Sequence, residues 1–145
     1  MRVKDCMGIK EVVQATPDTN LHQIAELMNN NHVGCIPVCN EEQVVGLVTD
    51  RDIVTRAIAS KLNCETTKVS DIMNTKIIKT TPDTDINEAL ETMKKNQIRR
   101  LPVIEDNKIV GILSMGDIAV CLDEEETGEA MSCICDDDDG EKHCD

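Results

Sequence analysis

Two short stretches of this 145-residue chain bring a hydroxyl and a carboxylate together at a strand end. The first is Val44-Val45-Gly46-Leu47-Val48-Thr49-Asp50-Arg51-Asp52-Ile53. The second is Ile109-Val110-Gly111-Ile112-Leu113-Ser114-Met115-Gly116-Asp117-Ile118. In each, an apolar run broken by one glycine ends at Thr49 or Ser114, and an Asp follows three residues later. Two chemistries fit that order. Free N–H groups in the first turn of a new helix, with the helix dipole behind them, attract phosphate. The carboxylate would then accept hydrogen bonds from ribose hydroxyls, as acidic residues do in dinucleotide folds. The same pattern is also close to a helix capping box, in which hydroxyl and carboxylate satisfy backbone donors and no ligand is needed. Taken alone, the motif favours capping. The frame around it shifts the balance toward a nucleotide site present twice.

That frame is an internal repeat. Pro17 and Pro82, Pro37 and Pro102, Gly46 and Gly111, and Asp52 and Asp117 all stand 65 residues apart. Val3, Asp5 and Met7 match Val69, Asp71 and Met73 at a spacing of 66, and Thr16-Pro17-Asp18-Thr19 returns unchanged as Thr81-Pro82-Asp83-Thr84. Each copy reads as a helical or turn lead-in (Val3–Met7, Val69–Met73), a short strand (near Glu11–Gln14, Lys76–Thr80) and the Thr-Pro-Asp-Thr turn. A helix follows, with its apolar residues on one face: Leu21, Ile24, Ala25 and Met28, echoed by Ile86, Ala89, Leu90 and Met93. Asn20 with Gln23, and Asp85 with Glu88, are near-matches to capping boxes at its start. A strand around Pro37 or Pro102 comes next, the proline suggesting an edge or the strand's beginning. A tight turn (Asn40-Glu41-Glu42, Glu105-Asp106-Asn107) leads into the stretch quoted first, as in a hairpin. Last comes a helix, about Asp50–Ala59 and Met115–Leu122. The order is β-α-β-β-α, twice. Residues 1–59 and 69–122 form the two copies, 60–68 a polar linker and 123–145 a tail.

Composition limits what such a fold can do. With no Trp, Tyr or Phe, the core is aliphatic, and a bound base has no ring to stack on. This argues against single-stranded nucleic acid as a partner. The net charge of −13 belongs mostly to the tail. Of the 28 acidic residues 11 fall in 123–145, against one of the 15 basic ones, so residues 1–122 carry 17 acidic and 14 basic residues. Neither part is built to bind a phosphate backbone. No apolar run approaches membrane-spanning length and the N-terminus does not read as a signal peptide, which points to no membrane partner and a cytoplasmic location. In that compartment Cys6, Cys35, Cys39, Cys64 and Cys121 are expected as reduced, small core residues. No nucleophile–base pair or paired carboxylates cluster in the sequence, so no enzyme activity is expected.

Val69-x-Asp71-x-Met73, Thr81-Pro82, Arg100-Leu101-Pro102-Val103 and Gly111-Ile112-Leu113-Ser114-x-x-Asp117-Ile118, with their first-copy partners, resemble a tandem pair of cystathionine β-synthase (CBS) domains, a Bateman module. The resemblance covers about residues 1–122 and is to the stand-alone two-domain members. It implies an α/β (α+β) fold of two pseudo-symmetric units. Each packs a three-stranded sheet with two helices, and the units pair through their sheets. It also implies two clefts for an adenosine ligand: AMP, ADP, ATP or S-adenosylmethionine. Carried over to this chain, Thr49 with Asp52 and Ser114 with Asp117 would meet the ligand, each Asp on a ribose. Arg100 would reach the phosphates. Cys35 stands at the matching place in the first copy, where Arg51 either supplies the missing charge or is a solvated first-turn residue. Arg99 is expected on a solvated or dimer face. Ile9, Val12, Ile77 and Ile78, which follow Met7 and Met73, are candidates for the base pocket, and Met7 and Met73 read as core fillers. Family modules pair into flat dimers, which implies a homodimer. No cofactor is required, and the protein target is not legible.

The tail offers a different chemistry. Cys133, Cys135, His143 and Cys144 are four possible ligands for zinc or a softer metal, against the alternative of a disordered acidic tail. The functions that follow are a regulatory adenine-nucleotide sensor, a thiol or metal-binding protein acting through the tail, or a structural dimer with empty clefts.

Overall fold

The structure, a computed structural model, describes residues 1–7 and 12–122. Its elements are α1 (Val3–Cys6), α2 (Leu21–Asn31), β1 (Cys35–Asn40), β2 (Gln43–Thr49), α3 (Asp50–Asp52), a π-helical continuation (Ile53–Ile58), a 3-10 turn (Val69–Asp71), α4 (Ile86–Asn96), β3 (Arg100–Glu105), β4 (Lys108–Ser114) and α5 (Met115–Cys121).

These elements form two compact units, and the units do not follow the repeat. Of the described residues, 1–7, 78–106 and 110–122 make unit 1, and 12–77 with 107–109 make unit 2. The lead-in of each copy folds onto the body of the other. Its landing place is the repeated Thr-Pro-Asp-Thr turn. The Val3 N–H donates to Thr84 O (2.9 Å) and the Lys4 N–H to Pro82 O (3.0 Å). In unit 2 the Val69 N–H donates to Thr19 O (2.8 Å) and the Ser70 N–H to Pro17 O (3.3 Å). The threonine hydroxyls of each turn hydrogen-bond each other, at 3.1 Å for Thr16 and Thr19 and 2.6 Å for Thr81 and Thr84. The turn is thus a receptor for backbone donors of the lead-in, which is why it recurs intact.

The repeated glycine belongs to the same contact. A side-chain carbon on Gly111 would lie 3.0 Å from the Met7 sulfur, and one on Gly46 would lie 2.5 Å from the Met73 sulfur. Each lead-in methionine therefore lies over the bare backbone of β4 or β2, half-buried against the core of its unit, in keeping with its reading as a core filler. Around these contacts the cores are aliphatic: Leu101, Leu113, Ile118 and Met93 in unit 1, and Leu21, Ile24, Ile36 and Val48 in unit 2. Full burial of such a side chain contributes about 1.5–3 kcal/mol.

Three expectations change, and the edge position expected of Pro37 holds. The first strand of each copy reduces to a single parallel bridge, Ala15 to Val38 and Thr80 to Val103, so each named sheet has two strands, β1–β2 and β3–β4. One residue of pairing is all that each connection supplies before its Thr-Pro-Asp-Thr turn. Pro37 consequently sits inside β1, buried and paired with Leu47. Its carbonyl accepts from the Ala15 N–H (3.0 Å), on the side where the bridge is one residue long, so the missing proline N–H interrupts no ladder. The Asn20 cap closes a reciprocal box with Gln23, but Asp85 accepts from the Asn87 N–H (2.8 Å) instead of pairing with Glu88. The last helix of the first copy winds as a π-helix from Ile53, the Ala59 N–H reaching back to Val54 O (3.0 Å). The wider turn buries Ile53 and Ala57, four residues apart, while Val54 and Ile58 stay exposed.

One covalent link was not expected. Cys6 and Cys121 are joined as a disulfide inside unit 1, between the last residues of α1 and α5. The expectation of reduced cysteines therefore fails for this pair, because the lead-in of the first copy packs beside the last helix of the second. Cys35 and Cys39 are buried and Cys64 is half-buried, and none of the three is in a disulfide among the described residues.

Candidate functional site

In both copies the hydroxyl–carboxylate motif forms a capping box. The Asp117 N–H donates to Ser114 Oγ (3.1 Å) and the Ser114 N–H to Asp117 Oδ2 (2.9 Å). In unit 2 the Asp52 N–H donates to Thr49 Oγ1 (3.1 Å) and the Thr49 N–H to Asp52 Oδ2 (3.0 Å). Strand end and helix start are fixed by these bonds, so the capping chemistry is realised. It also uses donors that the phosphate reading needed. The Met115 N–H goes to Arg99 O and the Asp50 N–H to Gly34 O, both at 3.0 Å, and the Arg51 N–H goes to Asp50 Oδ1 (2.8 Å). In the first turn of α5 that leaves the Gly116 N–H. In α3 none of the three is left. A phosphate must therefore be held mainly by side chains.

The carboxylates keep one capacity beyond capping. Each uses Oδ2 for the box. In unit 2 Oδ1 of Asp52 lies 3.7 Å from Arg56 Nε, an ion pair across one helical turn. Asp117 has no ion pair among the described residues. Residue 121, which corresponds to Arg56, is cysteine. Both aspartates are half-buried, a setting in which a carboxylate oxygen remains reachable.

The packing sorts the remaining candidates into two sets. The Met115–Arg99 bond holds the start of β3 against the start of α5, which brings Arg100, exposed at the first position of β3, to the end of the unit that carries Ser114 and Asp117. Ile78 joins the same unit, half-buried against its core. In unit 2, Cys35 stands directly opposite Thr49 across the β1–β2 ladder, and Val12, Ile77, Arg51 and Asp52 belong with it. Val12 and Ile77 are half-buried and Arg51 is exposed. Arg99 is half-buried. Ile9 lies outside the described residues, as do Cys133, Cys135, His143 and Cys144. Among the described residues no group of three or more His, Cys, Asp or Glu is placed to hold a metal ion, and no helix is long and apolar enough to cross a membrane. Burial pushes the Cys39 thiol up from its ordinary pKa, which keeps it protonated and unreactive.

Sequence reasoning missed Arg56 as the partner of Asp52 and Cys6–Cys121 as a bond. The signal for Arg56 was an Asp-to-Arg spacing of four on a helix. For the cysteines the signal was their presence at two corresponding ends in one copy only. Ile72 and Arg56 occupy those places in the other.

Comparison with known proteins agrees with this architecture. A family model described as "CBS domain" matches residues 3–58 and again 69–124. The CBS domain-containing protein YhcV of Bacillus subtilis is 36% identical over 133 residues, covering 91% of this chain and 94% of YhcV. Hypoxic response protein 1 of Mycobacterium tuberculosis is 30% identical over 131 residues, covering 90% of this chain and 86% of that protein. The crystal structure of Hypoxic Response Protein I with two coordinated zinc ions superposes with a TM-score of 0.75 at 29% identity, over 84% of this chain and 99% of that one. The CBS domain pair of protein MJ0100, solved in complex with 5′-methylthioadenosine and S-adenosyl-L-methionine, superposes with a TM-score of 0.73 at 24% identity, over 83% of this chain and 94% of that one. With two matches of the family model in tandem and both lead-ins seated on the repeated turns, the chain belongs to the CBS domain family as a tandem pair, a Bateman module.

Proposed function

We propose that this chain is a regulatory sensor of adenosine ligands, AMP, ADP, ATP or S-adenosylmethionine, with no catalysis of its own. It would act in the cytoplasm as a homodimer on a protein target. The observation that carries this reading is the junction of β3 and α5. There Arg100 and Asp117, a half-buried carboxylate with no ion pair among the described residues, are held at one end of unit 1 by the Met115–Arg99 hydrogen bond. Asp117 Oδ1 would take the ribose hydroxyls and Arg100 the phosphates, with Ile78 and Ile9 against the base. The MJ0100 pair shares the fold and holds adenosine ligands, which supports the ligand class. Thr49, Asp52, Arg51, Val12 and Ile77 would form the corresponding site of unit 2. That site is the weaker one, because Asp52 faces Arg56 and Cys35 replaces the strand arginine.

Calorimetric titration with AMP, ATP and adenosine tests the reading. Asp117→Ala should weaken all three ligands. Arg100→Ala should weaken AMP and ATP by about one to two decades, the worth of a charge-assisted hydrogen bond, and spare adenosine. If Asp52→Ala abolishes binding while Asp117→Ala leaves it intact, the order of the two sites is reversed. If no adenosine ligand binds, Ser114 and Asp117 are a cap and nothing more. A metal reading through Cys133, Cys135, His143 and Cys144 is favoured only by the zinc ions of Hypoxic Response Protein I. Removing residues 123–145 should abolish zinc binding if it holds, with nucleotide binding retained.

A further inference from the structure

We propose that the Cys6–Cys121 disulfide is a reversible tether through which thiol redox state controls the adenosine site of unit 1. The proposal rests on the sensor reading given above. The two cysteines end α1 and α5, with their Cα atoms 6.0 Å apart and 115 residues between them in sequence. That separation lies within the range that permits the bond without backbone movement. The bond joins the two segments on which the site depends. α5 begins at Ser114 and Asp117, and α1 leads directly into Met7, whose sulfur covers Gly111 on the strand that ends at Ser114. Cut the bond, and among the described residues the N-terminal segment keeps its backbone pairing with the Thr81–Thr84 turn and with Asp85 and Ile86, its burial and two exposed ion pairs.

Unit 2 supplies an internal control. The residues that correspond to Cys6 and Cys121 are Ile72 and Arg56. There the guanidinium Nη1 of Arg56 donates to the Ile72 carbonyl at 3.1 Å. A link between lead-in and last helix therefore exists in both units, and only one is oxidisable. The cysteines that form no disulfide among the described residues, Cys35, Cys39 and Cys64, all belong to unit 2.

Access fixes the direction of exchange. Cys121 is half-buried, whereas Cys6 is 9% exposed within the core of the unit. A thiolate of a dithiol reductant attacks Cys121 Sγ. The S–S electron pair leaves on Cys6 Sγ, which takes a proton from solvent. The second thiol of the reductant then attacks the mixed disulfide, releases the Cys121 thiol and closes the reductant's own disulfide. Two electrons and two protons pass to the protein. Exchange with a disulfide oxidant such as oxidised glutathione runs the steps in reverse.

The test uses the full chain. Nonreducing peptide mapping after treatment with oxidised glutathione should find Cys6 linked to Cys121, and another pairing, or none, overturns the proposal. AMP titrations are then made on the Asp52→Ala protein, which isolates the unit 1 site, in oxidised and dithiothreitol-reduced form. Affinity should fall at least tenfold on reduction. In a protein that also carries Cys6→Ala and Cys121→Ala, one affinity, that of the reduced form, should appear in both buffers. The Cys121→Ala single variant, which changes only the half-buried partner, should behave alike if the double variant folds poorly. Equal AMP affinity in the two redox states, or the same response in the cysteine variants, overturns the proposal. If AMP binds in neither state, the sensor reading fails, and amide hydrogen exchange decides the tether separately. Faster exchange in 3–7 and 115–121 on reduction, absent from the cysteine variants, upholds it, and unchanged exchange overturns it too.

Discussion

The two units meet the same structural demand with different side chains. In both, a lead-in from the other copy is received by the Thr-Pro-Asp-Thr turn, crosses a bare glycine with a methionine, and is fastened to the last helix. Unit 1 fastens it with the Cys6–Cys121 bond and unit 2 with Arg56 on the Ile72 carbonyl. Around the capping aspartates the cations have moved as well. Unit 2 carries Arg51 and Arg56 on the helix of Asp52 itself. Unit 1 has Gly116 and Cys121 at those places and draws its arginine from the first position of β3. The backbone contacts that close each unit are the shared part, and the side chains that would meet a ligand are what diverge. A duplicated scaffold has in this way acquired two unlike sets of side chains around its capping aspartates.

The largest expected effect comes from removing the one covalent difference. A disulfide that closes a long loop stabilises mainly by restricting the unfolded chain, typically by about 2–4 kcal/mol. Urea unfolding of the oxidised wild type against Cys6→Ala with Cys121→Ala should show a loss of that size. Arg56→Ala, which removes the counterpart link and its ion pair with Asp52, should cost about 1 kcal/mol, the net worth of a typical hydrogen bond. Equal losses from the two would mean that unit 1 does not depend on its covalent link.

A smaller contrast lies under the methionines. At Gly46 an added carbon meets Met73 Sδ at 2.5 Å, Met73 Cγ at 2.9 Å and the backbone carbonyl of Asn74 at 3.3 Å. At Gly111 it meets, among the described residues, only the Met7 side chain, at 3.0 Å and beyond. A methionine tip can swing aside, and a backbone carbonyl cannot. Gly46→Ala should therefore cost about 2–3 kcal/mol and Gly111→Ala about 1 kcal/mol or less, within the usual range for overpacking. Thermal melts of the two variants decide it, and a reversed order would mean that the Met7 crossing is the tighter one.

The sequence carried much of this, and what it lacked has physical causes. The two helical faces, the hairpins and the cap at Asn20 follow from local periodicity and side-chain chemistry. The hairpin turns are two-residue loops with both residues at positive φ, Glu41–Glu42 and Asp106–Asn107. The second pair suits such a turn far better than the first, yet the repeat register identified both. The motif Ser114-x-x-Asp117 was legible as two alternatives, and the backbone resolved the capping one without removing the other. The exchange of lead-ins was not legible. Val3–Met7 has the same pattern whichever turn receives it, so no local preference distinguishes its own copy from the other. The Cys6–Cys121 bond and the Met7–Gly111 crossing both follow from that exchange, and neither can be found before it is known. The π-helical winding of Ile53–Ile58 also escaped, because Ile53 and Ala57 at a spacing of four fit an α-helix equally well.

The smallest expected effect concerns the ion pairs that flank the two landing turns. Asp83 in unit 1 accepts from Lys4 and Arg2, each at 3.1 Å, while among the described residues Asp18 in unit 2 faces Lys68 alone, at 3.2 Å. The hydrogen bond and charge of Lys4, reinforced by Arg2, hold the Asp83 carboxyl below its ordinary pKa. A carboxylate with a lowered folded-state pKa contributes stability that is fully present above its unfolded value, about 3.9. That contribution disappears as pH falls through the lower folded value. The gap in urea midpoint between wild type and Asp83→Asn should accordingly be constant from pH 7 to about pH 5 and close on further acidification. All three groups are exposed, so the gap should be small and should shrink with added salt. Asp18→Asn, with one cation lost instead of two, should open a smaller gap. An Asp83 gap that widens on acidification, or that ignores salt, would show that Lys4 and Arg2 hold the lead-in by something other than charge.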